Sequence, residues 1–341
     1  MNVIGQGSIS QIKTNGKYAI KVVNMDYHHV YIKELVILRY LNIGVNSPYF
    51  PLLIDFEERN ASFIMEKFKM NIAQVMDGGC IEKTRVTVCV HLLYALYILH
   101  SVGIYHQGLG LQEVMTKFES ALAGGFVPIS LIDFGACTLS KKGEAHDLYA
   151  LGVMLIELIS GNRMGGRVNK ATIKERMKAI DVRFHDILKR LISSKPEKRP
   201  KIVDVMHAMN VDVYDIKLPE VTTLELKPPV FWLWQWMEES IETLHLNIPI
   251  DSVFLTCVAC SVTPVNDDPL MSEDNVYGRL YGCGVLFLYA CLWNEVVSVD
   301  SFLAIIPKSF GMNRNIIFMY ALDELIRNDE LMVLMVRGVR M

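Results

Sequence analysis

The residues best suited to chemistry lie in the N-terminal part of the chain. Gly5-Gln6-Gly7-Ser8-Ile9-Ser10 sets two glycines one residue apart. Glycine lets backbone N–H groups come close to phosphate oxygens. Lys21 ends the run Tyr18-Ala19-Ile20-Lys21, Glu34 sits in Tyr31-Ile32-Lys33-Glu34-Leu35, and Asp133 follows the apolar run Ile129-Ser130-Leu131-Ile132. Glu113 adds a further carboxylate, whose hard oxygens suit Mg²⁺. What the stretch Val102–Val114 lacks is equally informative. His106 is followed by Gln107, Gly108, Leu109 and Gly110, and no Asp occurs between Asp77 and Asp133. Glycine at 108 can neither take a proton from a hydroxyl nor aim one.

The elements that must position these groups show in the periodicity. Residues 3–23 alternate like a hairpin, with Asn15-Gly16 as a two-residue turn. Residues 28–42 have helical spacing of Leu35, Leu38 and Leu41. A second hairpin is expected from Leu52–Glu57 and Ser62–Lys67, turning at Arg59-Asn60. Helices are expected over 82–101, 147–160, 170–180, 184–193 and 201–209. Strands around 113–117 and 129–132 flank a polar insert. Residues 211–229, with Pro219, Pro228 and Pro229, read as a linker. Beyond it five helices are expected: Val230–Leu244, Pro249–Val262, Asn275–Asn294, Ser298–Ile306 and Asn313–Arg327.

Composition supports this division. The 341 residues are 51% hydrophobic, enough for a large core, and carry a net charge of −3. From residue 210 onward there are 8 Lys and Arg against 18 Asp and Glu, a net of −10; residues 1–209 carry 26 against 19, a net of +7. All four Trp lie in the acidic part. Seven scattered cysteines argue against a disulfide framework. A zinc site from Cys257, Cys260, Cys283 and Cys291 is disfavoured, because thiolates in such apolar runs would be costly. The start lacks the charged and apolar regions of a signal peptide, and the run Leu280–Trp293 is too short to span a bilayer. The expectation is a protein of cytoplasm or nucleus, with no membrane or nucleic-acid partner.

The motifs resemble those of protein kinases. Gly5-Gln6-Gly7-Ser8-Ile9-Ser10 resembles the glycine-rich loop, with Ser10 replacing the third Gly, and Tyr18-Ala19-Ile20-Lys21 resembles the Val-Ala-Ile-Lys strand. Asp133-Phe134-Gly135 matches Asp-Phe-Gly, and Asp147-Leu148-Tyr149-Ala150-Leu151-Gly152 resembles the start of buried helix F. The resemblance implies an α+β fold of two lobes over 1–209, with a β-rich N-lobe at 1–68 and a helical C-lobe at 69–209. It also implies ATP and Mg²⁺ as cofactors. Lys21 would meet the α and β phosphates and pair with Glu34. Asp133 would hold Mg²⁺, with Glu113 in the place of the second ligand, an Asn. Gly5, Gly7 and Ala19 would line the nucleotide, Met65 resembles the gatekeeper, and Glu66, Lys67 and Phe68 the hinge. His106, Phe134, Leu38 and Leu52 or Leu53 match the hydrophobic spine anchored by Asp147.

Departures define the chain. The catalytic loop reads His106-Gln107-Gly108-Leu109-Gly110-Leu111-Gln112-Glu113 where the family has His-Arg-Asp-Leu-Lys-Pro-Glu-Asn. Gly108 therefore stands at the catalytic Asp. Only Ala136–Ala145 separates the Asp-Phe-Gly motif from helix F, where kinases carry a few dozen residues, and no Ala-Pro-Glu is present. Arg199 matches the Arg that pairs with that Glu; either Glu144 substitutes or Arg199 faces solvent. The expectation is a pseudokinase, resembling compact kinases of large DNA viruses, that binds ATP without efficient turnover and would then act in a host cell. The alternative is a divergent Ser/Thr kinase with residual activity.

Residues 230–341 resemble a single cyclin box, with Trp236 as the aromatic of the first helix and Tyr281–Leu292 as the buried central helix. The Lys and Glu by which cyclins grip a kinase are not recognisable. The resemblance implies an all-α interaction unit that packs on helix 28–42 of its own chain. It implies other proteins, a kinase or cell-cycle regulator, as partners; recruitment of a cellular cyclin-dependent kinase is a further alternative.

Overall fold

The computed structural model describes residues 2–117, 128–164, 168–213, 237, 239–246, 248, 276–293, 299–305 and 314–337. The N-terminal lobe is a five-stranded antiparallel sheet in the order β1-β2-β3-β5-β4. Its strands are β1 (Asn2–Gln6), β2 (Ser10–Thr14), β3 (Tyr18–Val23), β4 (Leu53–Glu57) and β5 (Ser62–Glu66). The Asn-Gly turn forms as expected. Asn15 Oδ1 accepts from the backbone N–H of Lys17 and Tyr18 at 3.1 and 2.8 Å, and Gly16 takes φ +95°. Side chains of β3 alternate, so Ala19, Lys21 and Val23 share the buried face. That period is what turns Lys21 inward.

Helix α1 (His28–Tyr40) buries ten of its thirteen residues. A helix apolar on every side needs cover on every side. It continues into a π-turn at Leu41–Val45 that ends on Asn46 in the left-handed region, so the helical run expected to 42 changes character there. The second lobe holds β6 (Met70–Asn71), α2 (Ile72–Asp77), α3 (Glu82–Ser101), β7 (Val114–Thr116) and β8 (Ile129–Leu131). After them come α4 (Lys142–Ser160), α5 (Lys170–Met177), α6 (His185–Leu191) and α7 (Ile202–Ala208). A β-rich lobe with one helix, joined to a helical lobe, is the arrangement that the resemblance implies. Helices α5 and α6 are shorter than the expected 170–180 and 184–193, while α4 starts five residues earlier than expected. Among the described residues no helix is long and apolar enough to cross a membrane.

Beyond the second lobe lie α8 (Val276–Leu292), α9 (Val299–Ile305), α10 (Arg314–Arg327) and α11 (Asp329–Arg337). The first three fall where helices are expected, and α11 is additional. The expected Pro249–Val262 helix, Trp236 and most of the linker lie outside the described residues. Helices α8 and α10 approach so closely that a Cβ at Gly284 would sit 2.6 Å from Leu325 Cδ1.

Helices α8 and α11 lie against α1. Phe287 of α8 stacks on His28 at 6.5 Å and meets Phe302 and Phe318 edge-on at 5.2 and 5.9 Å. Arg39 donates to the Arg327 carbonyl at 3.2 Å and pairs with Asp329. The Phe56 ring lies under both guanidinium groups, 4.2 Å from Arg327 and 5.6 Å from Arg39. The backbone N–H of Leu139 donates to the Leu292 carbonyl at 3.1 Å. Buried Lys33 faces Cys137 and Cys291, and burial holds its pKa below the usual lysine value.

His28 is 6% exposed, and neither ring nitrogen has a hydrogen-bond partner. Burial first, and neighbouring His29 second, push its pKa down from 6.5 to about 4. The unfolded chain therefore binds the extra proton in that window. Stability is complete above about pH 6.5 and falls as pH drops toward 4, by up to about 3 kcal/mol from this group. Urea unfolding of wild type and His28→Phe at pH 7.5 and 5.0 should show a shallower acid loss in the variant.

Candidate functional site

Three elements converge on one charge cluster. Lys21 Nζ on β3 contacts Glu34 Oε1 and Oε2 on α1 at 2.9 and 2.7 Å. It also reaches Asp133 Oδ1, just after β8, at 2.5 Å. Side chains of Lys21 and Glu34 are 7% and 1% exposed, whereas that of Asp133 is 55% exposed. Burial opposes the Lys21 charge, but Glu34 and then Asp133 outweigh it and hold its pKa above the ordinary value. Burial pushes Glu34 up against the pull of Lys21. Asp133 also feels burial, yet Lys21 draws it below the usual carboxylate range. The open side of the triad is thus a persistent carboxylate.

Asp133 sits at φ +68°, an unfavourable region for a non-glycine residue. Its neighbours hold that conformation. Phe134 packs on His106 at 5.2 Å and on Phe50 at 6.1 Å, and His106 Nε2 bonds the Ile132 carbonyl at 3.0 Å. A Cβ at Gly135 would lie 2.8 Å from Val30 Cγ1, so only glycine lets α1 seat this tightly. Of the two spine candidates at the start of β4, Leu53 packs on the core, and Leu52, just before the strand, is 54% exposed.

Asp147, fully buried on α4, anchors the loop that begins at His106. Its two oxygens accept from the backbone N–H of His106 and Gln107, each at 2.7 Å, and His100 Nε2 lies 3.1 Å away. His100 escaped the sequence reading because it interrupts an apolar helical run without motif spacing. Gln107 takes φ +60°. The three atoms nearest a Cβ at Gly108 are Ala136 Cβ at 3.5 Å and His106 Nδ1 and Cε1 at 3.8 and 3.9 Å. None is a carboxylate, and the spacing leaves room for a side chain. At Gly110 a Cβ would meet Glu113 Oε2 at 2.9 Å and Gln112 Oε1 at 3.0 Å. Burial first, and nearby Asp133 second, raise the Glu113 pKa.

The shortened segment after Asp133 explains the early start of α4. Its first turn sits directly on the catalytic loop. A Cβ at Gly143 would come within 2.6 Å of Gln107 Nε2 and 2.7 Å of Tyr105 Cβ. Tyr105 and Thr138 exchange backbone hydrogen bonds, both at 2.9 Å. Arg199 neither finds a replacement in Glu144 nor stands in solvent. It donates to the carbonyls of Ser193 and Ala145 and stacks on Tyr149 at 5.1 Å.

At the hinge, Met65 pairs across β3–β5 with Ala19 and is buried. Glu66 accepts from Leu52 N–H at 3.2 Å and pairs with Lys117, whose Nζ also lies 5.8 Å from the Phe68 ring. Lys117 is a contact of Glu66 and Phe68 that no sequence spacing announced. Gly5 and Gly7 flank the β1–β2 turn, closed by Gly7 N–H donating to the Ser10 carbonyl at 2.8 Å. Cys283 and Cys291 are buried on α8, and Cys257 and Cys260 lie outside the described residues.

Relatives agree with this geometry. Serine/threonine-protein kinase STE20 of Saccharomyces cerevisiae is 27% identical over 199 residues, 46% of this chain and 20% of its own. The sperm motility kinase Tcr mutant form of Mus musculus is 21% identical over 250 residues, 60% of this chain and 50% of its own. Serine/threonine-protein kinase PAK mbt of Drosophila melanogaster is 24% identical over 204 residues, 47% of this chain and 29% of its own. The chain is protein kinase-like. It spans a fifth to a half of the length of these relatives. A solved structure of the Rad53 kinase domain and SCD2 matches with TM-score 0.48 and 17% identity, covering 63% of this chain and 89% of that one. No family model matches the chain.

Gly135→Ala should cost about 1–3 kcal/mol by overpacking against Val30. Chemical denaturation of the two proteins side by side should show the lower midpoint with an unchanged slope.

Proposed function

We propose that residues 1–209 bind ATP with Mg²⁺ without efficient phosphoryl transfer, and that the chain acts as a regulatory scaffold. The observation that carries this is the contrast within one site. The Lys21–Glu34–Asp133 cluster is assembled, while Gly108 replaces the base and no carboxylate is among its nearest neighbours. The residues present suit the nucleotide: Lys21 for phosphate oxygens, the β1–β2 turn with Gly5 and Gly7 over them, and Ala19, Met65, Glu66 and Phe68 around the base. Asp133 and Glu113 would hold Mg²⁺, whose charge neutralises the β and γ phosphates. Loss of a positioned base removes about 10²–10⁴-fold in rate. Only eleven residues, 136–146, separate Gly135 from the helix F motif, which leaves little platform for a peptide substrate.

The helical unit is proposed to be cyclin-like and to keep Glu34 turned inward by packing on α1. Supporting this are His28 on Phe287, Arg39 on Asp329, and the Leu139–Leu292 hydrogen bond. With α8 engaged by its own chain, partners such as a kinase or cell-cycle regulator would meet other faces of the unit.

A second reading is a divergent Ser/Thr kinase with residual activity. The half-buried Glu113 carboxylate near Asp133, with its raised pKa, favours it.

Saturating Mg·ATP should raise the melting temperature of the full chain. At a hundred times Kd the stabilisation is about 2.7 kcal/mol. Lys21→Met should abolish the shift, and Arg39→Ala should reduce it by loosening α1. Absence of any shift in wild type overturns nucleotide binding. Labelled-phosphate incorporation lost in both Lys21→Met and Asp133→Asn would instead establish the residual kinase.

A further inference from the structure

The positive charge of the kinase-like half is concentrated in one place. Residues 170–201 hold 11 Lys and Arg against 4 Asp and Glu, a net of +7, which equals the net of all residues 1–209. The rest of that half is balanced. Helices α5 and α6 and the 3-10 turn at Pro196–Lys198 all pack on α4, so their outer sides belong to one region of the lobe. Lys170, Lys174, Lys178, Lys189, Arg190 and Lys198 are all exposed there. Lys170, Lys174 and Lys178 recur every four residues, which makes a stripe along α5 with about 6 Å between neighbours. Among the described residues, none of these six joins an ion pair. The described helices α8 and α11 of the acidic unit dock elsewhere, on α1 and the π-turn.

The make-up of this surface selects its partner. Protein-binding patches are depleted in Lys and need apolar anchors. Here Val182 is the one large hydrophobic residue strongly exposed among the described residues of the segment. Single-stranded nucleic acid needs free aromatic faces for its bases. The segment's two aromatic rings are both half-buried: Phe184 carries Arg183 at 5.8 Å, and His185 is tied to the Ile180 carbonyl at 3.0 Å. Lysines without anchors or stacking rings suit a regular array of phosphates. We propose that the outer side of α5, α6 and the 192–201 turn binds the phosphate backbone of double-stranded nucleic acid without regard to sequence. This departs from the expectation of no nucleic-acid partner.

The test uses the full chain and fluorescence anisotropy with two 24-base-pair DNA duplexes of unrelated sequence. Both should bind equally, with Kd in the micromolar range or tighter at 50 mM salt. Affinity should fall about 10²–10³-fold by 200 mM salt, as expected for four to six neutralised phosphates. Lys174→Glu/Lys189→Glu/Lys198→Glu should weaken binding at least tenfold and leave the melting temperature unchanged. The control Lys17→Glu/Lys83→Glu, of exposed lysines elsewhere, should retain binding. Absence of duplex binding at 50 mM salt overturns the proposal, as does equal loss in both variants. Patch-dependent binding to phosphatidylserine vesicles without duplex binding overturns it in favour of a membrane surface. Self-association of the wild type that the triple variant abolishes, again without duplex binding, overturns it in favour of a second copy.

Discussion

A buried lysine held between two carboxylates is the constraint to which the rest of the molecule answers. Lys21 lies in the interior, where an isolated ammonium would shed its proton or distort its surroundings. It stays charged because Glu34 is turned in from α1 and Asp133 reaches up from the second lobe. Removing Glu34 would leave buried Lys21 with only the half-exposed Asp133 as its counter-charge. The pair therefore fixes where α1 sits relative to β3 and how the two lobes face each other. That requirement reaches back to single residues, such as the glycine at 135 that lets Val30 approach.

Helix α1 is accordingly enclosed along most of its length, with ten of its thirteen residues buried. Its sequence carries apolar groups on nearly every side, more than the five-stranded sheet alone can cover. Helices α8 and α11 close the remaining side through the Phe287 cluster and through Arg39, Phe56 and Arg327. Enclosure explains an all-round hydrophobic helix in an otherwise amphipathic lobe. It also explains why a histidine with no hydrogen-bond partner is tolerated at its first turn, with aromatic rings on two sides.

The sequence made the elements of the first half readable where a local rule governs them. Alternation and the Asn15-Gly16 turn give β2 and β3, and the recurrence of Leu35, Leu38 and Leu41 gives α1. Boundaries set by tertiary contact were not readable. Lys141-Lys142-Gly143-Glu144 has no apolar periodicity, and it becomes helical because Gly143 nests against Tyr105 and Gln107. The Lys117–Glu66 pair joins residues far apart in sequence by charge alone. Helix α11 was missed because Asn328 reads as a stop, although the chain turns there and resumes. Arg199 shows the same limit, since a guanidinium deprived of its family partner is met by backbone carbonyls that carry no sequence signature.

The short tether between Phe134 and α4 has a consequence for timing. In a chain with slack at this point, a reversible covalent mark can move the tether from one resting place to another. Here the tether is stitched at Tyr105–Thr138 and again at Leu139–Leu292, and the following helix begins at once. Nothing is left to swing. A tether built this way has one resting place from the moment the chain folds.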